Sequence, residues 1–466
     1  MTHVNILFPP LLLLALLLPT TLTAQSDKEP LGLKEGASVS ALAVSLKDGK
    51  ILAEYDSQRR LTPASVSKAF TTGAALRILG SDAHFTTRFG LSSDKQTLTV
   101  HGTFDPTVGS QYFLDNGMDK VADSLSTHLK SMGVKDIEQL TIDMSLQPVS
   151  EYSGCRLWED MGSFFGATPS VVMDRDNELS LYFNTPMGVG KECRLDSVVP
   201  DICGKWPRTS VMTYAGNSDH CLVYMLDTTY WLAAGRIPQG RNAFRVKVAA
   251  PTPEMNYAKH LTMLLGKRGI NISHINLNVQ PTTDSTIYTH LSPTLAEITK
   301  QTNTHSVNHF ADAIALHLST DGGTRRASWD NAADAVANFW AKQGVDVTLR
   351  DGSGLATQNE VSASNVVAML KNMKKSSVGS AYKQTLPRMG CEGTWAHMGH
   401  KTPLKGKVWA KSGTMTGVVA YAGYMNLRNG DEVAFCVIVN HNKEKSAEVR
   451  QKIVNWLLHI YNTSGI

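Results

Sequence analysis

The sequence predicts an α+β fold, in which a five-stranded antiparallel sheet is covered by helices and carries one or two inserted β-rich domains. Two strand candidates lie near the N-terminus, at residues 39–46 and 51–55, and three near the C-terminus, at 406–414, 418–427 and 433–440. Antiparallel pairing would join both ends of the chain in one sheet. Between them, residues 86–285 contain short β-rich segments separated by turns, which is typical of inserted domains.

The length of 466 residues exceeds what one hydrophobic core usually supports, so several domains are expected. We assign residues 25–85 and 286–466 to the main domain and residues 86–285 to the inserted region. The formal net charge of +4 is small for this length, which argues against nucleic-acid binding. It allows weak attraction to an anionic polymer, but a slightly basic surface is the simpler interpretation.

Residues 1–24 have the features of a secretory signal peptide. An apolar run at residues 11–18 is too short to span a bilayer comfortably, and Ala24 supplies a small residue at the expected cleavage site. Leu22 is larger than usual for its position and no lysine or arginine precedes the run, so an uncleaved anchor is the alternative. We expect an exported protein that is cleaved after Ala24.

The six cysteines include no CxxC pair, which argues against a zinc ribbon. Four of them cluster in the middle of the chain, and export would allow disulfides there. We expect at least one disulfide among Cys155, Cys193, Cys203 and Cys221, with Cys193 and Cys203 the best candidates. Cys436 lies in an apolar run and is expected to be a buried free thiol.

The elements of the main domain follow from simple signals. Asp48-Gly49 predicts the turn of the first hairpin, and a helix is expected from the segment 61–65, with Pro63 near its start, to Leu79 before Gly80. Later helices are expected at residues 295–301, 306–317 and 332–344. Residues 446–461 carry one apolar stripe and predict an amphipathic C-terminal helix.

Within the inserted region, β-rich segments at 97–101, 139–143, 179–183 and 222–226 predict strands. Residues 118–132 and 255–268 predict helices between them.

Three short motifs carry residues suited to acyl transfer. Ser65 and Lys68 are one helical turn apart, so a lysine whose pKa is lowered by burial can activate the serine hydroxyl. Ser306-Val307-Asn308 and Lys411-Ser412-Gly413-Thr414 follow. Gly413 would let a substrate backbone lie against its strand, and the cation and hydroxyls around it could hold a carboxylate. Each motif alone is weak evidence for this chemistry. The simpler interpretations are, in order, a helix start with an exposed lysine, a helix N-cap and a strand end.

Together and in this order, the motifs resemble the signatures of penicillin-recognising serine enzymes. The long gap between Ser65 and Ser306 is similar to that of low-molecular-mass class C penicillin-binding proteins, the D-Ala-D-Ala carboxypeptidase/endopeptidase family. Further stretches share this resemblance, over roughly residues 35–440: 61–65, 102–108, 158–161, 173–175, 351–355, 386–387, 393–394 and 410–415. Ser412 stands where threonine is commoner, and the region after Gly102 has fewer glycines than expected.

The resemblance implies a transpeptidase-like main domain and specific roles. Ser65 forms an acyl-enzyme and Lys68 takes its proton, while the backbone N–H groups of Ser65 and Thr414 form an oxyanion hole. Ser306 relays a proton to the leaving amine and Asn308 binds a substrate amide. Lys411, Ser412, Gly413 and Thr414 face the terminal carboxylate. Asp160 is expected to meet the free side-chain amine of a diamino acid, with helix capping or an arginine partner as the alternative.

These roles predict peptidoglycan stem peptides as substrates, β-lactams as covalent inhibitors, a periplasmic location, and no cofactor or metal. Peripheral membrane association and the oligomeric state stay open. Zinc binding by His305 and His309 is the weaker alternative, because no third ligand is apparent in the sequence. A β-lactamase or esterase, and a catalytically silent peptidoglycan-binding protein, are the alternative functions.

Overall fold

The computed structural model describes residues 30–463, except residues 202, 203, 205, 226–230 and 279–283. The expected signal peptide and Cys203 therefore lie outside the described residues. None of the helices in the described part has the length and apolar character needed to cross a bilayer.

The strands of the described residues are β1 (Ser38–Ser45), β2 (Ile51–Tyr55), β3 (Arg60–Leu61), β4 (His84–Leu91), β5 (Thr97–Gly102), β6 (Asp136–Asp143), β7 (Glu178–Thr185), β8 (Arg194–Val199), β9 (Arg208–Tyr214), β10 (His220–Met225), β11 (Trp231–Pro238), β12 (Arg241–Ala249), β13 (Asn271–Asn278), β14 (Ser285–Thr294), β15 (Val361–Ser362), β16 (Val408–Met415), β17 (Val418–Asn426) and β18 (Glu432–Asn440). The α-helices are α1 (Ser67–Leu79), α2 (Met118–Ser131), α3 (Trp158–Met161), α4 (Pro253–Lys267), α5 (Leu295–His305), α6 (Asn308–Leu318), α7 (Trp329–Ala341), α8 (Ala363–Lys375), α9 (Gly379–Thr385) and α10 (Ser446–Thr463).

The main sheet joins the two ends of the chain, as the sequence predicts. Its strand order is β16-β17-β18-β1-β2, and every neighbouring pair is antiparallel. Along β1 the side chains alternate between two cores: Leu42 and Val44 face one, and Val39, Ala41 and Ala43 face the other. Both faces are therefore buried, which explains the nearly continuous apolar run of β18.

Helix α1 lies in the core on one side of the main sheet. Ten of its thirteen residues are buried, and its small residues allow close packing: a Cβ atom on Gly73 would lie 3.0 Å from the Trp340 ring. Helix α10 covers the opposite face, where Val449, Ile453 and Leu457 are fully buried. The apolar stripe that the sequence predicts is the face of α10 that packs against the main sheet.

The region between β4 and β14 contains three sheets. One is five-stranded with the order β13-β6-β5-β4-β14, and the others have the orders β12-β7-β8 and β10-β11-β9. The sequence predicts a β-rich insertion, but not the parallel pairs β5/β6, β6/β13 and β9/β11. Residue 86, where we expect the insertion to begin, falls within β4, and residue 285, where we expect it to end, is the first residue of β14.

The expected disulfide is not supported among the described cysteines. Cys155, Cys193 and Cys221 are free thiols in the structure, whereas Cys203, the expected partner of Cys193, lies outside the described residues. Cys436 is free and fully buried, as expected.

Candidate active site

The predicted nucleophile lies on a tight turn at the start of α1. Residues Ala64–Val66 form a single 3₁₀ turn that leads into α1, and Ala64 has a positive φ of 47°. Two glycines pack closely against this turn. A Cβ atom would lie 2.1 Å from the carbonyl oxygen of Ala64 if placed on Gly354, and 2.4 Å from that of Pro63 if placed on Gly413. Any larger residue at either position must displace the turn that carries Ser65.

The small size of Gly413 matters for the turn as well as for the expected room for a substrate backbone. On the side where its Cβ atom would lie, the turn that carries Ser65 fills the space. The glycine brings β16 against the nucleophile.

Lys68 is fully buried beside Ser65. Its Nζ lies 3.0 Å from Ser65 Oγ, 2.6 Å from Asn308 Oδ1 and 2.5 Å from the Ser353 carbonyl oxygen. A neutral lysine has two N–H donors and one lone pair. The oxygens of Asn308 and Ser353 accept both donors, which leaves the lone pair for the Ser65 hydroxyl.

Burial lowers the pKa of Lys68 to about 7, because an ammonium is poorly solvated in the interior. The carboxylates of Asp312 and Asp351 oppose this effect, and the nearby Arg156 guanidinium reinforces it. About half of the Lys68 side chains are therefore neutral at pH 7. This is the state that can take a proton from Ser65.

The second motif links α5 and α6. Ser306 ends α5 in a left-handed conformation, with a φ of 59°, and Asn308 is the first residue of α6. The plain alternative of a helix N-cap is thus wrong for Ser306, since Val307 occupies that position. The left-handed residue turns the chain sharply enough to bring Asn308 to Lys68.

Lys411 on β16 connects the second motif to the third. Its buried Nζ donates to Ser306 Oγ at 3.0 Å and to the Ser412 carbonyl oxygen at 2.7 Å. Burial lowers the pKa of Lys411 well below its ordinary value, and the neighbouring Lys68 lowers it further. The ammonium forms of both lysines are therefore disfavoured by their surroundings.

A small pocket of about 240 Å³ extends from Ser65 and Ser306 along β16. It is bounded by the hydroxyls of Ser412 and Thr414 and by Arg450 on α10. Arg450 Nη2 donates to Thr414 Oγ1 at 3.2 Å, and its buried Nε has no hydrogen-bond partner among the described residues. Three hydroxyls and a guanidinium thus meet beside the nucleophile. Sequence reasoning missed Arg450, because nothing in an amphipathic helix shows that one polar residue reaches a cleft on the far side of a strand.

The motif order and this geometry agree with comparisons to known proteins. A sequence profile of the D-Ala-D-Ala carboxypeptidase 3 (S13) family matches residues 27–460. The chain belongs to this family.

Among curated proteins, the chain is similar to the D-alanyl-D-alanine carboxypeptidase DacB of Haemophilus influenzae, with 25% identity over 92% of this chain and 91% of the relative. It is also similar to the D-alanyl-D-alanine carboxypeptidase of an Actinomadura species, with 25% identity over 87% of this chain and 78% of the relative. Penicillin binding protein 4 of Haemophilus influenzae has the same fold, with a TM-score of 0.79, 24% identity, and coverage of 92% of this chain and 97% of that structure. A structure of that protein with a bound β-lactam gives a TM-score of 0.76, with the same identity and coverage.

The S13 resemblance also includes the segment 351–355, whose function the sequence left unassigned. The buried carboxylate of Asp351 accepts hydrogen bonds from the backbone N–H groups of Gly354, Leu355 and Ala356 at 2.8–3.0 Å. These bonds fix the loop that presents the Ser353 carbonyl oxygen to Lys68. Asp351 thus fixes the position of the oxygen that Lys68 contacts.

The inserted region forms the opposite wall of the cleft. The main cleft has a volume of about 740 Å³ and is lined by Ser65 and Asn308 on one side and by Glu159, Asp160 and Phe165 on the other. The Phe165 carbonyl oxygen accepts a 2.7 Å hydrogen bond from Asn308 Nδ2, which connects this wall directly to the second motif.

Asp160 lies within the one-turn helix α3 and is half-buried. Burial raises the pKa of its carboxyl, the neighbouring Glu159 raises it further, and Arg156 opposes both. The structure gives the Asp160 carboxylate neither a helix-capping bond nor an arginine ion pair within the described residues. It faces the cleft as an unpaired acid.

The two histidines of the zinc alternative do not converge. His305 stacks on Tyr112, with ring centroids 5.0 Å apart, whereas His309 is buried with its Nε2 3.4 Å from Asp176 Oδ1. Across the described residues, no group of three or more His, Cys, Asp or Glu side chains could hold a metal ion. Contacts with neighbouring side chains therefore explain the positions of both histidines.

Proposed function

We propose that this protein is a serine-type D-Ala-D-Ala carboxypeptidase, DD-endopeptidase or both, and that it acts on peptidoglycan stem peptides through an acyl-enzyme on Ser65. One observation carries the proposal: Ser65 Oγ lies 3.0 Å from a fully buried lysine whose other two polar contacts are both acceptors. Such a lysine has its free lone pair directed at the serine hydroxyl.

The reaction begins when Ser65 Oγ attacks the carbonyl carbon of the penultimate D-Ala and its proton passes to Lys68. Negative charge develops on the carbonyl oxygen, and the backbone N–H groups of Ser65 and Thr414 are suited to stabilise it. The C–N bond then breaks, and the leaving amine takes the proton that Lys68 accepted, relayed through the Ser306 hydroxyl, which Lys411 contacts at 3.0 Å. Lys68 is then neutral again. Water attacks the resulting ester, releases the shortened peptide and restores the Ser65 hydroxyl.

The pocket beside Ser65 fits the terminal carboxylate of the substrate. Thr414 offers a hydroxyl donor, next to Ser412, whose own hydroxyl donates to Thr394 Oγ1 at 2.8 Å. Arg450 adds a positive charge with a buried, unused N–H. A carboxylate that accepts bonds from a guanidinium gains more than one that meets neutral donors alone. Lys411 supports this pocket through Ser306 and the Ser412 carbonyl oxygen.

Asp160 is suited to select peptides with a free side-chain amine. An acid at a partly buried cleft edge gains more interaction free energy from an ammonium partner than it would in bulk water. The test compares Asp160→Asn on two matched peptides, one with the side-chain amine free and one with it acetylated. Glu159→Gln is the control, because Glu159 lines the same cleft and carries the same charge.

We expect Asp160→Asn to lower kcat/KM mainly on the free-amine peptide and Glu159→Gln to change it little. An equal loss on both peptides would show that Asp160 has a structural role.

A β-lactamase or esterase and a silent peptidoglycan-binding protein make different predictions. The purified protein is incubated with muropeptides and the products are identified by mass. Released D-Ala indicates carboxypeptidase action, and cleaved cross-links indicate endopeptidase action. Rapid turnover of penicillin without peptide products would support the β-lactamase, and the absence of any penicillin adduct would support the silent protein.

The proposed substrate requires export to the periplasm. The signal-peptide features of residues 1–24 support this location. N-terminal sequencing of the mature protein tests it, and we expect the chain to begin at Gln25.

A further inference from the structure

A buried ion pair connects the inserted region to the catalytic domain beneath Lys68. Arg156, which precedes the cleft wall, pairs through Nη2 with Oδ2 of Asp312 on α6. Both side chains are fully inaccessible to solvent. Such a pair gains little net stability from its attraction, because both ions lose their hydration. Its position suggests a contribution to the reaction.

The acidic partner of this pair braces the loop that holds the general base. Asp312 Oδ1 accepts a 3.0 Å hydrogen bond from the Gly352 N–H, and the next residue, Ser353, accepts the 2.5 Å bond from Lys68 through its carbonyl oxygen. The path from Arg156 to Lys68 therefore crosses one carboxylate and one peptide group.

The basic partner anchors the wall that carries Asp160. Arg156 Nη1 donates to the Gly166 carbonyl oxygen at 3.4 Å, and its guanidinium lies over the Trp329 ring, 5.1 Å from the centroid. Gly166 in turn packs tightly on the wall, since a Cβ atom there would lie 1.9 Å from the Asp160 carbonyl oxygen. One side chain thus contacts both the wall and the support of the base.

Four charged side chains act on Lys68 from the elements packed around it. They are Lys411 on β16, Asp312 on α6, Asp351 on its loop and Arg156 from the inserted region. The two carboxylates favour the protonated form of Lys68, and the two cations favour the neutral form. Without Arg156, Asp312 would be a buried carboxylate whose nearest remaining cation is the base itself.

We propose that Arg156 is a positioning residue, which neutralises Asp312 so that this carboxylate can brace the Gly352–Ser353 loop without holding a proton on the general base. The inference rests on the proposed function, in that Lys68 must be the base. It assigns to the inserted region a part in the chemistry beyond shaping the cleft.

The experiment measures the rate of Ser65 acylation by a fluorescent penicillin between pH 5.5 and 9.5. The acylation rate with this small probe depends directly on the base, whereas the rate with a peptide substrate also depends on contacts with the cleft wall. The variants are Arg156→Gln, Asp312→Asn, the double variant, and Arg156→Lys, which keeps the charge. Thermal melting checks that each variant folds.

In Arg156→Gln, we expect the acidic limb of the pH profile to move to higher pH. A move of about one unit lowers the rate at pH 7 about fivefold and leaves the rate at pH 9.5 nearly unchanged. Asp312→Asn should move the limb to lower pH. The double variant and Arg156→Lys should return it close to the parental position.

Two results would overturn the proposal. A uniform loss at every pH in Arg156→Gln would mean that Arg156 only anchors the wall. If the acidic limb of the pH profile does not move in Asp312→Asn, or if it is displaced in the double variant, the ion pair does not act on Lys68. These two variants test the proposal even if Arg156→Gln does not fold. Failure of the parental protein to be acylated at all would instead contradict the proposed function.

Discussion

Asn308 provides a direct test of proton transfer through Lys68, because its side-chain oxygen lies 2.6 Å from Lys68 Nζ. The substitution Asn308→Asp keeps the shape of the side chain and places a negative charge at this distance. The new charge favours the ammonium form, so the pKa of Lys68 must rise. The acidic limb of the acylation profile then moves to higher pH.

The size of the effect follows from the distance. Even with the full screening of bulk water, unit charges 2.6 Å apart interact by about 1.6 kcal/mol, which equals about 1.2 pKa units. From a pKa of about 7, the neutral fraction at pH 7 falls from about one half to about 6%, a loss of about eightfold. The lower dielectric of the interior makes eightfold a minimum.

The assay is the rate of penicillin acylation against pH. Asn308→Ala is the control: both substitutions remove the hydrogen bond that Asn308 Nδ2 donates to the Phe165 carbonyl oxygen, and only Asn308→Asp adds a charge beside Lys68. We expect the acylation rate of Asn308→Asp to be much lower than that of this control at pH 7. The difference between the two rates should shrink as the pH approaches 9.5. If both variants have the same acidic limb, the protonation of Lys68 does not govern acylation.

Three further predictions concern the same site. Lys68→Ala should slow acylation by about 10²–10⁴ while the adduct, where formed, still maps to Ser65 by mass spectrometry; a parental rate would show that Lys68 is not the base. Arg450→Gln should lower kcat/KM about tenfold on peptides with a free terminal carboxylate but not on C-terminal amides, and an equal loss on both would place the carboxylate elsewhere. Gly413→Ala should destabilise the protein by about 1–3 kcal/mol in denaturant unfolding and slow acylation, whereas Gly266→Ala, which has open space in α4, should do neither.

The sequence predicted those parts of the fold in which one local pattern determines the structure. Strand β2 has the predicted bounds, and α10 begins at the predicted Ser446. Helix α8 was not predicted, although Ser362 caps its N-terminus and its buried residues, among them Ala363, Val366 and Leu370, recur at helical spacing. The parallel pairs of the insertion were also missed, since strand direction depends on how distant segments meet.

At the site, the motifs identified which residues take part but not how the backbone presents them. Ser306 lies in a left-handed junction between two helices, which a local pattern of helix-forming residues does not reveal. The contribution of Arg450 depends on α10 folding back across β16, far along the chain from the first motif. Such residues become visible only once the tertiary packing is known.

The pairing of β1 with β18 has a consequence for the biosynthesis of the enzyme. The serine emerges from the ribosome early, whereas β16 and the strands that hold it beside Ser65 are among the last segments made. A nascent or truncated chain that lacks β18 cannot close the main sheet, so Ser65 lacks the strand residues that surround it in the folded protein. We expect peptidase activity to appear only when synthesis is nearly complete, so that unfinished molecules hydrolyse no substrate.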